Sequence, residues 1–304
     1  MATLATNLIH FEGALIAESE ARISPFSPAM AHGPVAYETL RGYWSNARSN
    51  LFLFRLHDHL TRLTASMKIL RFGELFSRES ISRWIQEVVR ANHYAEDIHI
   101  RISAYPLDRN GPGRSPERSG LVIRAEPRPE RPPDVAHCQV SSWIRRGGDN
   151  HPARVKAVSS RMFSRAALAQ AAMDGYTDLM MQDECGKILE ATTSNVFIVR
   201  HGILATPRAT DQILEGITRA TLIVVAGDLG ITWVERPVDR TELYDCQEAF
   251  LCSTGLEIVP IASVDRLAVG DGAAGPITEA LQRQYHSVVR GAAPLHEVWL
   301  TAIY

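Results

Sequence analysis

Four prolines fall within the eight residues Glu126-Pro-Arg-Pro-Glu-Arg-Pro-Pro133, and no other stretch limits the fold as much. Each proline fixes φ and removes a backbone donor, so neither a helix interior nor a central strand can run through the segment. A stiff, extended connector is what remains. The chain therefore divides into an N-terminal α/β domain over 1–126, a linker over 127–134 and a larger C-terminal domain over 135–304. A length of 304 residues suits one large or two ordinary domains.

The first part opens with an alternating stretch, Asn7 to Leu15, that turns at Glu12-Gly13. A loop, Ala31 to Pro34, precedes the strand Val35 to Trp44. Tyr37, Thr39, Arg41 and Tyr43 share one face of that strand, either lining a pocket or lying on an exposed sheet face. Leu51 to Phe54 is a short apolar strand. Leu56, Leu60, Leu63, Met67 and Leu70 then recur at helical spacing. Arg55 stands at the strand-to-helix junction, suited to an anion or simply solvated. A second helix spans Arg78 to His93, followed by strands at Ile98 to Ser103 and Leu121 to Ala125, with a loop from Pro106 to Gly120 between them. Beyond the prolines come a strand from Cys138 to Trp143, a helix from Phe163 to Asp174 and a hairpin, Asp178 to Asp183 with Ile188 to Glu190. Val196 to Val199 pairs with Ile203 to Thr206 across His201-Gly202. Thr218 is the natural N-cap of a helix from Arg219 to Leu229. Strands at Ile231 to Arg236, Glu248 to Ser253 and Glu257 to Ile261 and a closing helix from Ile277 to Val289 complete an α+β pattern with two sheets.

The chemistry is narrowed by scarcity. Of 32 basic residues only Lys68, Lys156 and Lys187 are lysines. Lys68 falls on the outer face of its helix and Lys187 in a hairpin turn, so Lys156 is the candidate amine nucleophile. The plainer reading is a lysine paired with Asp183 or Glu190. Glu190, flanked by Leu189 and Val196-Phe197, is a buried carboxylate or a surface hairpin residue. Gly216-Ile217-Thr218 opens a helix and presents free N–H groups that suit a phosphate, as does the turn Thr254-Gly255. An amine, a carboxylate and a phosphate cradle are the parts of a pyridoxal phosphate (PLP) site. His57-Asp-His59 diverges on a helix, so no metal is expected. A net charge of −2 gives no reason to expect nucleic acid or an acidic membrane. Four cysteines without metal spacing, no secretory signal and no bilayer-length apolar run point to the cytoplasm.

Taken together, Val35-Ala-Tyr-Glu-Thr-Leu-Arg-Gly-Tyr43, Leu53 to Leu63, Ile100-Arg101, Lys156, Glu190-Ala-Thr-Thr-Ser-Asn195-Val-Phe197, Leu204 to Pro207, Ile213 to Arg219 and Ser253 to Pro260 resemble the fold-type IV PLP enzymes. That group includes the branched-chain and D-amino-acid aminotransferases. The resemblance implies a two-domain, usually homodimeric enzyme with PLP between its domains, and amino transfer between an amino acid and a 2-oxo acid. It implies that Lys156 forms the Schiff base and moves the proton, that Glu190 pairs with the ring nitrogen, and that Leu214 supports the ring. Arg55 with the backbone of Ile217 and Thr218 would hold the phosphate. Thr254 and Gly255 would meet phosphate or substrate carboxylate, and Tyr37, Arg41 and Arg101 would surround the substrate. Arg101 stands where the branched-chain group has its arginine. Three residues depart from the pattern. Arg161 replaces the tyrosine five residues after the lysine, placing a fixed positive charge near the imine, and His32 and His99 replace two substrate-pocket tyrosines. A more polar, cationic pocket follows. A pyruvate-eliminating enzyme like aminodeoxychorismate lyase and an amine transaminase are the alternatives on the same fold. A non-catalytic binding protein is the alternative outside it.

Overall fold

Ten residues, Ala36–Ser45, form the strand on which the first part of the molecule is built. The computed structural model describes residues 7–73, 76–107, 118–128, 133–145 and 152–304. The middle of the expected loop at 108–117, of the expected linker at 129–132 and the first six residues lie outside these. The chain forms two compact units. One comprises Met1–Glu130, Val155–Ser159 and Val288–Tyr304, the other Arg131–Arg154 and Ser160–Ser287.

The first unit contains β1 (Leu8–Phe11), β2 (Ala14–Ala17), α1 (Pro28–His32), β3 (Ala36–Ser45), β4 (Asn50–Phe54), α2 (Leu56–Ile69), α3 (Arg78–Ala91), β5 (Ile98–Pro106) and β6 (Ser119–Pro127). With the closing strand Leu300–Ala302 they make a seven-stranded sheet in the order closing strand, β4, β3, β5, β6, β1, β2. Strand β6 runs on to Pro127, the first proline of the rigid segment.

Period-two alternation gives this sheet two unlike faces. Leu40, Leu53, Ile100, Ile102 and Ile123 pack against Leu60, Leu63 and Met67 of α2 and Ile81, Ile85 and Val88 of α3. Each such side chain taken out of water contributes about 1.5–3 kcal/mol. The opposite face carries the polar row. Tyr37 pairs with Ser103, Thr39 with Arg101 and Arg41 with His99 across β3 and β5. Tyr37, Arg41 and Tyr43 are 4, 2 and 0% exposed, so this is not an open sheet face.

The second unit contains β7 (Ala136–Ile144), α4 (Arg161–Met173), β8 (Asp178–Gln182), β9 (Lys187–Ala191), β10 (Asn195–Arg200), β11 (Ile203–Thr206), α5 (Ile217–Asp228), β12 (Trp233–Glu235), β13 (Val238–Asp239), β14 (Glu248–Ser253), β15 (Glu257–Val264), β16 (Leu267–Ala268) and most of α6 (Pro276–Val289). Its ten-stranded sheet runs β12, β11, β10, β14, β15, β7, β8, β9, β13, with β16 beside β15. The β10–β11 hairpin turns on His201 and Gly202, both left-handed (φ 52° and 72°), the pair a two-residue connection demands. Ala167 and Ala171 of α4 pack with Leu179, Met181, Leu189 and Ile213.

Two local expectations are corrected. Helix α5 starts two residues earlier than its threonine suggests, with Gly216 as N-cap and Thr218 inside the first turn. Lys187 is the first residue of β9 and not part of the turn, and its side chain, 39% exposed as expected of a solvated lysine, pairs with Asp239.

Candidate active site

Lys156 is not within a regular strand. Its segment lies extended along the start of β3 through an isolated antiparallel bridge, Ala36 to Ala157. The Tyr37 N–H donates to the Lys156 carbonyl (2.9 Å) and the Val158 N–H to the Val35 carbonyl (2.9 Å). The Lys156 N–H donates to Ser66 Oγ of α2 at 3.2 Å. Val155 and Ala157 are buried on either side while Lys156 is half-buried, as alternation in an extended segment requires. Its Nζ stands 5.0 Å from the centroid of the Tyr37 ring, and the Arg101 guanidinium carbon stands 4.3 Å from the same centroid. One aromatic ring thus serves two cations. Lys68, in contrast, is exposed on α2.

Beneath this segment lies a buried ionic cluster. Glu38 is fully buried and accepts from His59 Nδ1 (2.8 Å) and from Arg62 through Nε (2.7 Å) and Nη2 (2.9 Å). Burial by itself would raise the Glu38 carboxyl, but Arg62 and His59 hold it well below the usual carboxylate range. Burial lowers His59, against the pull of Glu38, and the charges of Arg62 and Lys156 act in the same direction. His59 therefore has a structural partner in Glu38. His59, Arg62 and Ser66 follow one another along a single stripe of α2.

Arg55 caps α2 from a left-handed conformation (φ 52°). Its N–H donates to the Trp299 carbonyl (2.7 Å), its Nε to Asp58 (2.8 Å), and its guanidinium lies 4.9 Å from the Trp299 ring centroid. A freely solvated arginine is ruled out by these contacts. On the polar face, burial lowers His99, with Arg41 and Arg101 adding to the shift and Glu126 opposing it. His32 ends the short helix α1 and is exposed.

In the second unit Glu190 of β9 is 9% exposed, so the surface-hairpin alternative fails. Its Oε1 accepts from Arg145 Nη1 at 2.6 Å. Its Oε2 accepts from Asn195 Nδ2 (3.1 Å) and the Leu214 N–H (3.0 Å). Asn195 Nδ2 also donates to the Leu214 carbonyl at 3.0 Å. Buried Asp178 accepts from Thr192 Oγ1 at 2.7 Å, pinning the turn between Glu190 and Asn195. A Cβ on Gly216 would sit 1.9 Å from Asn195 Oδ1, so any side chain there would displace the Asn195 amide. Directly after Gly216, the N–H groups of Ile217 and Thr218 occupy the helix turn that lacks intrahelical acceptors, and no side chain among the described residues caps them. Thr254 and Gly255 form the turn between β14 and β15, half-buried and exposed respectively. Arg161 is the first residue of α4 and is exposed.

Within each unit several expected residues meet: Lys156, Tyr37 and Arg101 in the first, Glu190 and Leu214 in the second. Sequence reasoning missed Ser66, Glu38, Arg62 and Arg145 as supports and gives Asn195 no role of its own. The available signal for Asn195 was an amide five residues after a carboxylate in a tight hairpin. For Arg145 there was none.

The amino-transferase class IV family profile matches residues 35–264. The chain is 31% identical over 299 residues to the probable branched-chain-amino-acid aminotransferase of Aquifex aeolicus, covering 97% of this chain and 96% of that one. Among solved structures, the branched-chain aminotransferase of Thermoproteus uzoniensis with norvaline superposes with a TM-score of 0.93 at 35% identity, covering 98% and 100% of the two chains. The PLP-form of the Thermobaculum terrenum branched-chain enzyme follows at 0.92 and 36%, covering 98% and 99%. The chain belongs to the amino-transferase class IV family. It is a PLP-dependent aminotransferase of fold type IV, and its relatives favour amino transfer over the pyruvate-eliminating and amine-transaminase readings.

Proposed function

We propose that the enzyme exchanges the amino group of a branched-chain amino acid, or of a more polar variant, with a 2-oxo acid, and that Lys156 is its covalent attachment point for PLP. The observation that carries the reading is the hold on Lys156: two main-chain hydrogen bonds and an aromatic ring orient the one lysine not committed to the surface. PLP supplies an electron sink for the bond cleaved at the substrate carbon. The residues present fit it by their donor set. Among the described residues there is a half-buried amine, a carboxylate that accepts from Arg145, Asn195 and Leu214, a helix N-terminus without a side-chain cap, and a buried Ser194 hydroxyl without a hydrogen-bond partner.

Lys156 Nζ would take the proton from the reacting carbon and return it. Glu190 would face the ring nitrogen and Leu214 the ring. Arg55, Ile217, Thr218 and Thr254 would hold the phosphate. Tyr37, Arg41, Arg101, His99, His32 and Gly255 would surround the substrate, and Arg161 would add positive charge beside the lysine. With histidines at 32 and 99, the pocket favours a polar or acidic side chain. The same reading makes the enzyme a cytoplasmic homodimer. Light scattering checks the oligomeric state. Among the described residues no helix is long and apolar enough to cross a membrane.

The test is a donor and acceptor screen that follows the visible spectrum of the purified holoenzyme. Lys156→Ala is expected to abolish both the visible band and turnover. Leucine, isoleucine and valine emerging as clearly the best donors would overturn the polar-pocket assignment.

A further inference from the structure

Arg145 follows the end of β7, and its own N–H donates to the Gln182 carbonyl at 2.9 Å, continuing the pairing with β8. That places its guanidinium two strands across from Glu190. Nη1 reaches Glu190 Oε1 at 2.6 Å and the Gln212 carbonyl at 3.0 Å. Both ion-pair partners are nearly buried, with side chains 10 and 11% exposed. Gln212 itself is left-handed (φ 61°), a conformation costly for a side chain of this kind. The carbonyl that Arg145 grips begins the connection to Leu214 and the N-terminus of α5. One guanidinium therefore fixes both the carboxylate and the loop that leads to the helix N-terminus.

We propose that Arg145 is a positioning residue that keeps Glu190 anionic, so that the proton shared between Glu190 and the cofactor's ring nitrogen resides on the nitrogen. The inference rests on the assignment of Glu190 to that nitrogen. Its physical basis is a choice between two arrangements with the same proton count. In one the ring nitrogen is protonated and Glu190 is charged; in the other the carboxyl holds the proton. A guanidinium in contact with the carboxylate stabilises the first. Asn195 and Leu214 donate to the other oxygen and favour the same arrangement.

The experiment uses holoenzyme reconstituted with PLP labelled with nitrogen-15 in the ring and reads the ring-nitrogen chemical shift. Wild type and Arg145→Lys are expected to give a protonated-pyridine signal. Arg145→Met, and Arg145→Gln as a polar variant should the first fold poorly, are expected to move it toward the neutral-pyridine position. These two should also lower kcat by about 10- to 100-fold, the scale of a lost charge-assisted hydrogen bond. Glu190→Gln is the control. If it shifts the signal while both Arg145 variants leave it unchanged, the role given to Arg145 is overturned alone. An unchanged signal in all three overturns the placement of Glu190 as well.

Discussion

Ser66 Oγ accepts a hydrogen bond from the backbone N–H of Lys156 at 3.2 Å, and Ser66 is completely buried. A helix residue ninety positions earlier thus holds the main chain of the candidate nucleophile. The same helix carries Arg55 at its N-terminus, so one rigid element sets both positions. Ser66→Ala leaves that N–H without its acceptor, and the expected loss is about 1–3 kcal/mol of stability in urea melts. An unchanged midpoint and slope would show that the lysine segment is held without it.

Glu38→Gln is expected to cost more. It leaves Arg62 and His59 buried against a neutral partner, and breaking a buried pair from one side costs about 3–5 kcal/mol. Urea melts with the double variant Glu38→Leu/Arg62→Met test the cause. Substantial recovery in the double variant is expected, because the orphaned charge is then gone. A double variant as unstable as Glu38→Gln would argue for packing as the cause.

The stability of this protein should fall as pH drops below neutrality. Burial lowers His10 to about 4, where its Nε2 accepts from the Gly13 N–H and its ring stacks on Trp84 at 4.4 Å. A histidine whose folded value lies below its unfolded value of about 6.5 binds protons more readily when unfolded. Its contribution is complete above pH ~6.5 and is lost as pH falls from there toward about 4. His59 is lowered too and acts in the same direction. Thermal melts between pH 7.5 and 5 should slope downward in the wild type and less steeply in His10→Gln.

Gly216→Ala should displace Asn195, because the new methyl meets its Oδ1 at 1.9 Å. The strain is about 1–3 kcal/mol. Since Asn195 also donates to Glu190 and Leu214, PLP affinity should weaken about tenfold or more, equivalent to ~1.4 kcal/mol. Comparing the PLP dissociation constant with apoenzyme stability separates the two effects. A variant with wild-type PLP affinity would show that Asn195 is not needed there.

Much of the element order was legible because periodicity is local: Leu56, Leu60, Leu63 and Met67 announce α2, and the alternation in β3 announces a two-faced strand. The start of α5 was misread for an equally local reason. Threonine is the better N-cap on propensity, but the Asn195 amide oxygen occupies the space a side chain at Gly216 would need, and that oxygen comes from a different hairpin.

Sequence alone determined which groups this chain has to work with. Its few lysines make Lys156 the natural amine, and the order of its motifs marks it as an aminotransferase of fold type IV. Tertiary structure decided what holds those groups. Ser66 reaches Lys156, and Arg145 reaches Glu190, only once helix α2 has packed on its sheet and β7, β8 and β9 have aligned side by side. Such contacts depend on pairings between residues far apart in the chain, which no spacing rule within a window can encode.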